Sequence, residues 1–174
     1  GPAHPDVAFA MNNLAFFYAM QSRYEEAEPL YERALAIDEI VLGPHHLEVA
    51  HVLSNLGMLY DDLGRYAEAR PIYERVLAIR EAALGSSHPD VANILINLAS
   101  LYHHQGRYAE AVPLYRRSLD IRRAELGPEH SDTSLAVENL ILACELLFAL
   151  PDVAQEQRSI TAPESMAMLC RLSP

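Results

Sequence analysis

Four asparagines, Asn13, Asn55, Asn97 and Asn139, stand 42 residues apart. A carboxamide donates and accepts at once, so a ladder of them could hold the main chain of an extended peptide largely regardless of its side chains. Each could also pair with polar groups of the adjacent unit, and the two roles are compatible. Asp61-Asp62 and His103-His104 occupy equivalent positions one period apart, and carboxylates with imidazoles are metal-ligand types. Consecutive residues on a helix point in different directions, so only one member of each pair could reach a shared ion, and no metal is expected. His4, His46, His88 and His130 recur with the same period at presumed helix starts, which argues for capping rather than catalysis.

Other constellations are missing. The sequence has no phosphate-cradling glycine loop, no HExxH, no CxxC and no nucleophile elbow. Glu25, Glu26 and Glu68 sit beside turns, where a structural role suffices. No catalytic residue and no cofactor are expected, so the chain reads as a non-enzyme. Cys144 and Cys170 are too few for a disulfide framework or a four-ligand zinc site; they read as buried thiols of a reducing, cytoplasmic compartment.

Composition narrows the class further. With 174 residues, 51% hydrophobic and 21% charged, the chain can bury a core. Its formal net charge is -11, and all thirteen basic residues are arginine. The densest basic run, Arg116, Arg117, Arg122 and Arg123, is interleaved with Asp120 and Glu125 and reads as a solvated face. Nucleic acid is therefore disfavoured as a partner. No apolar stretch is long enough to span a bilayer, so no membrane association is expected.

The elements that must position these residues follow from the period. Leu42-Gly43, Leu84-Gly85 and Leu126-Gly127 repeat in register with Tyr24, Tyr66 and Tyr108, and with Tyr31, Tyr73 and Tyr115. A fixed period of this kind marks a stacked repeat array. Inside one period, Val49, Leu53, Leu56, Tyr60 and Leu63 form a helical stripe ended by Gly64; Ala69, Ile72, Tyr73, Val76 and Ala83 form a second, closed by Gly85. Pro5 and Pro89, followed by acids, suit helix starts. Pro29, Pro71 and Pro113 fall a few residues into the second helices, where a bend is expected.

Leu53-x2-Leu56-Gly57-x2-Tyr60 followed by Ala69-x3-Tyr73 resembles the tetratricopeptide repeat, with leucine in place of tryptophan and tyrosine in place of phenylalanine. The other units match through Leu14-Ala15-x2-Tyr18 and Leu98-Ala99-x2-Tyr102. The long unit, with Gly-Arg-Tyr-x-Glu-Ala at its turn, is similar to the repeats of kinesin light chains and their bacterial relatives. That resemblance implies an all-α, right-handed α-solenoid of antiparallel helix pairs. Its units would be residues 4–45, 46–87, 88–129 and a degenerate 130–160, with 161–174 as a capping helix or tail. Ala162-Pro163-Glu164 would restart a short helix there. At the other end the first unit opens almost at Gly1 without a polar capping helix, as expected of a fragment of a longer array, with Gly1-Pro2 as a cleavage scar.

In this family the first helices line a concave groove that holds partner proteins. Transferred through the matched register, the groove would carry Phe9, Asn12, Asn13, Phe16 and Met20, then His51, Ser54, Asn55, Met58, Asp61 and Asp62. Asn93, Ile96, Asn97, Ser100, His103 and His104 would follow, then Asn139 among Leu135, Glu138, Leu142 and Glu145. No cation stands at these positions. The expected guest is a neutral or basic peptide with an apolar anchor near Phe9, Phe16 and Met20. Those aromatics equally suit a surface left by an absent upstream unit, and self-association through open solenoid ends is the alternative function.

Overall fold

The structure, a computed structural model, describes residues 4–150. Within them lie seven helices: α1 (Pro5–Met20), α2 (Tyr24–Leu42), α3 (Leu47–Asp62), α4 (Tyr66–Leu84), α5 (Pro89–His104), α6 (Tyr108–Leu126) and α7 (Ser131–Phe148). The fold is an all-α solenoid of helix pairs. Two compact units divide at Ser86 and Ser87, the first built from α1–α4 and the second from α5–α7. The helix expected after Ala162, and Cys170, lie outside the described residues.

Each odd-numbered helix begins in the same way. Nδ1 of His4, His46, His88 and His130 accepts the backbone N–H of Asp6, Glu48, Asp90 and Asp132 at 3.1–3.2 Å. The bond satisfies one of the first-turn donors that a helix cannot pair internally. An acid follows in the first turn of all four, where it complements the helix dipole.

The turns within pairs are also repeated. Arg65 N–H donates to Tyr60 O at 2.8 Å and Gly64 N–H to Asp61 O at 2.9 Å, a double closure that satisfies the last carbonyls of α3. The guanidiniums of Arg23, Arg65 and Arg107 lie over the rings of Tyr18, Tyr60 and Tyr102, 4.1, 4.2 and 4.6 Å from their centroids. Each also pairs with the glutamate three residues on, Glu26, Glu68 or Glu110. Hydrogen bonds from Arg23 and Arg65 hold the Glu26 and Glu68 carboxyls below their ordinary range. Exposed pairs of this kind add little stability singly; here they fix the direction of the returning chain. The turn needs a left-handed residue, supplied by Gly64 and Gly106, both at φ +70°, but by Ser22 at φ +59° in the first.

Pairs are joined through Gly43, Gly85 and Gly127, at φ +84 to +90° with extended ψ. That combination is open essentially to glycine alone. Pro29, Pro71 and Pro113 lie inside α2, α4 and α6, and each helix runs through its proline without a break.

Within each pair a small residue meets a tyrosine. A Cβ on Gly57 would stand 2.7 Å from Cε1 of Tyr73, which is buried against it. The equivalent residues are Ala15 with Tyr31 and Ala99 with Tyr115, all buried. In the second unit Ala99 and Tyr115 share a core with Leu119, Leu140 and Cys144. Cys144 is disulfide-bonded and is not the free thiol expected from the sequence.

Two substitutions test this packing. Ser22→Gly relieves a left-handed non-glycine residue and should raise stability by about 1 kcal/mol in urea unfolding. Gly57→Leu should lower it by about 1–3 kcal/mol, because the Tyr73 ring leaves no room for the added carbons; an unchanged midpoint would show that the ring yields.

Candidate binding site

In the first unit α1 and α3 run side by side, and three clefts form a furrow between them. One, of about 260 Å³, is lined by Phe9, Asn12, Asp38, Leu42, Glu48 and His51 among others. The next, about 160 Å³, lies among Asn12, Asn13, Phe16, His51 and Asn55. The last, about 60 Å³, is bordered by Phe16, Met20, Tyr31, Asn55, Met58 and Asp62. Asn12 and His51 line both the first and second clefts, and Phe16 and Asn55 both the second and third, so the three clefts adjoin one another in a row. Helix periodicity places residues three and four apart on one face, which is why Phe9, Asn13, Phe16 and Met20 all reach it. Asp61 is half-buried and lines none of the three.

Asn12 has a different role from the groove contact expected of it. It is 2% exposed, and its Oδ1 accepts Nδ2–H of Asn55 at 2.9 Å. This bond ties α1 to α3, so Asn55 pairs with the neighbouring repeat and is half-buried. Asn13 is exposed, with no hydrogen bond from its carboxamide among the described residues.

The furrow turns acidic at the α1 N-terminal end. Asp38, on α2, is 5% exposed and lines the first of these clefts. Burial, and then Glu48, push its carboxyl up from the ordinary value, with His46 pulling the other way. Asp38 does not stand out in the sequence because it lies in an apolar stripe of a second helix. Its register column carries the signal: Arg80 and Arg122 stand one and two periods later.

No cation stands at the groove positions of the first helices themselves, but those arginines reach two of them from second helices. Arg80 Nη2 donates to Ser54 Oγ at 3.2 Å, and Ser54 is buried and donates to Ala50 O. Arg122 Nη2 donates to Asn93 Oδ1 at 3.0 Å, and its Nη1 to Asp132 O at 2.8 Å. The arginine run on α6 is thus not simply a solvated face. Reading only first helices missed side chains long enough to reach over from the second.

In the second unit a cleft of about 200 Å³ is lined by Ser100, His103, His104, Tyr115, Asn139 and Leu142. These are the register counterparts of Phe16, Ala19, Met20, Tyr31, Asn55 and Met58, so the same geometry recurs with a polar lining. Ser100 Oγ and Tyr115 Oη lie 3.1 Å apart in a hydrogen bond. His103 stands edge-on to Tyr108, with centroids 5.2 Å apart. Burial, with His104 beside it, lowers the His103 pKa and favours its neutral form. Asn97 is half-buried on α5. Among the described residues no three His, Cys, Asp or Glu side chains gather as metal ligands.

The tetratricopeptide repeat model matches residues 6–82, 62–124 and 90–148. The chain belongs to the tetratricopeptide repeat family. Such repeats are generally protein-interaction scaffolds rather than enzymes. Among solved structures, BtubC (BKLC) from P. vanneervenii is similar at TM-score 0.77 and 22% identity, over 98% of this chain and 67% of that one. A Podosopora anserina protein with nearly identical TPR-like repeats of the kinesin light chain kind is similar at 0.72 and 25%, over 96% and 85%. The N-terminal domain of stress-induced protein-1 from C. elegans follows at 0.59 and 19%, over 78% and 95%. No curated protein matches the chain. These tetratricopeptide repeats present no helix, among the described residues, long and apolar enough to cross a membrane.

The raised carboxyl of Asp38 sets a pH dependence. The folded state holds its proton more tightly than the unfolded chain does, so its contribution to stability is lost as pH rises through its titration above 3.8. Asp6, His46, Glu48 and His51 are the other titratable groups around it. Asp38→Asn is expected to raise the melting temperature near neutral pH and to lose that advantage as the pH falls towards about 3, read by circular dichroism.

Proposed function

We propose that this chain is a scaffold that captures an extended peptide segment of a partner protein against its first helices. The carboxamides of Asn13 and Asn55 in the first unit, and of Asn97 and Asn139 in the second, hold a guest's main chain, and the linings of the clefts select its side chains. The reading rests above all on three adjoining clefts along α1 and α3, in which neighbouring clefts share lining residues. Phe16, Met20 and Met58 favour an apolar anchor, and the acids at the other end favour a neutral or basic guest whose binding weakens with salt. Units 4–45 and 46–87 act together in this scheme; 88–129 and 130–160 offer a second, more polar position. The chain needs no cofactor and performs no chemistry, and its acidic balance disfavours nucleic acid.

One observation favours self-association as a second reading. Leu14 and Phe17 on α1 are 43% and 57% exposed, whereas Leu56 and Leu59 in the same register on α3 are buried. An α1 face of the kind that packs in the next repeat is therefore uncovered and could receive a second copy.

The two readings separate experimentally. Asn13→Ala combined with Met20→Ser should weaken extended peptides about tenfold in fluorescence anisotropy with an unchanged melting curve; equal affinity would overturn peptide capture. If copies stack, Leu14→Glu with Phe17→Glu should lower the mass found by light scattering and leave peptide affinity alone.

A further inference from the structure

The cleft headed by Asp38 has a composition unlike the rest of the furrow. Asp38 is nearly buried, has no hydrogen-bond partner among the described residues, and borders the open volume. Asp6 and Glu48 stand on the same walls, and no arginine lines the cleft. Burying a carboxylate without a partner is costly, and a binding protein keeps such a group where a guest supplies the missing charge. Asn12 and His51 also line it, and the rest of the wall is apolar: Pro5, Phe9, Leu42 and Val52. Carboxylates joined to an apolar sleeve suit a cation on a hydrocarbon stem, and the Phe9 ring offers a face to a guanidinium or ammonium.

The repeat register gives an independent reason. In the later units the Asp38 column holds Arg80 and Arg122, whose guanidiniums are bonded to Ser54 and Asn93 on the first helices. There the protein provides its own positive charge. At the first unit the sign is reversed, and the positive charge is left for another molecule to bring.

We infer that this cleft takes the side chain of an arginine or lysine in the captured peptide. The inference rests on the peptide-binding reading above and adds a register to it. From Phe9 to Met20 α1 advances about 15 Å, and an extended chain covers that distance in about five residues. The guest therefore carries a basic residue and an apolar residue about five positions apart, the first at Asp38 and the second at Phe16, Met20 and Met58.

The test uses the 174-residue chain and labelled peptides that pair one arginine with one leucine at separations from two to seven, each matched by a version with neutral citrulline for arginine. Anisotropy should show the arginine peptide bound about thirtyfold or more tightly than its citrulline match, best near a separation of five. Asp38→Asn, with folding checked by circular dichroism, should bring the arginine peptide down to the citrulline level. Equal binding of both peptides to the parent chain, lost on Asn13→Ala with Met20→Ser, would overturn the basic pocket and leave peptide capture standing. Binding indifferent to both variants would sink the two together. A change in light-scattering mass on Asp38→Asn, without a change in peptide affinity, would assign the cleft to a second copy and overturn the inference.

Discussion

The approach of a tyrosine ring to a residue with little or no side chain governs the distance between the helices of every pair. At Gly57 the ring of Tyr73 occupies the space a side chain would need, and alanine takes the same place at Ala15 and Ala99. Close packing of this kind costs polar groups nothing and buries a large aromatic surface. With the spacing set, the opposite edge of each first helix is left to face outward, and the furrow residues are the ones that edge carries. Between pairs, the bond from Asn55 to Asn12 holds α3 to α1.

The architecture could be seen in the chain because its determinants are local and repeated. Histidine before an acid, a left-handed residue before Arg-Tyr, and Leu-Gly at the pair boundary each settle a few backbone angles without help from distant residues. The candidate site was only partly visible for the opposite reason. Asn12 and Asn13 are adjacent and chemically identical, yet one is buried and the other exposed, a distinction that depends on how α3 lies against α1. Arg80 and Arg122 belong to second helices and reach the first through the length of their side chains. Asp38 is inconspicuous among Ile37, Glu39 and Ile40 until its column is compared with theirs.

Comparison of equivalent clefts also shows how a repeat diversifies. Tyr31 and Tyr115 form matching walls, and Asn55 and Asn139 stand beside them. Around that constant frame Phe16, Ala19 and Met20 become Ser100, His103 and His104. These three changes fall at exposed or half-buried positions, so the lining moves from apolar to polar while the buried tyrosine and its small partner persist.

The bonds that start and reverse each pair reach only two to five residues along the chain, from a histidine to its acid and from an arginine to its tyrosine. Side-chain links between successive pairs reach further along the chain, among them Asn55 to Asn12, Arg65 to Glu28 and Arg75 to Glu39 in the first unit and Arg122 to the Asp132 carbonyl in the second. A hairpin of helices can thus organise itself before its neighbour does, and growth spreads outward from whichever hairpin forms first. Weakening one of those cross-links would leave each hairpin intact while loosening its agreement with the next, so that a single cooperative melt would divide into steps.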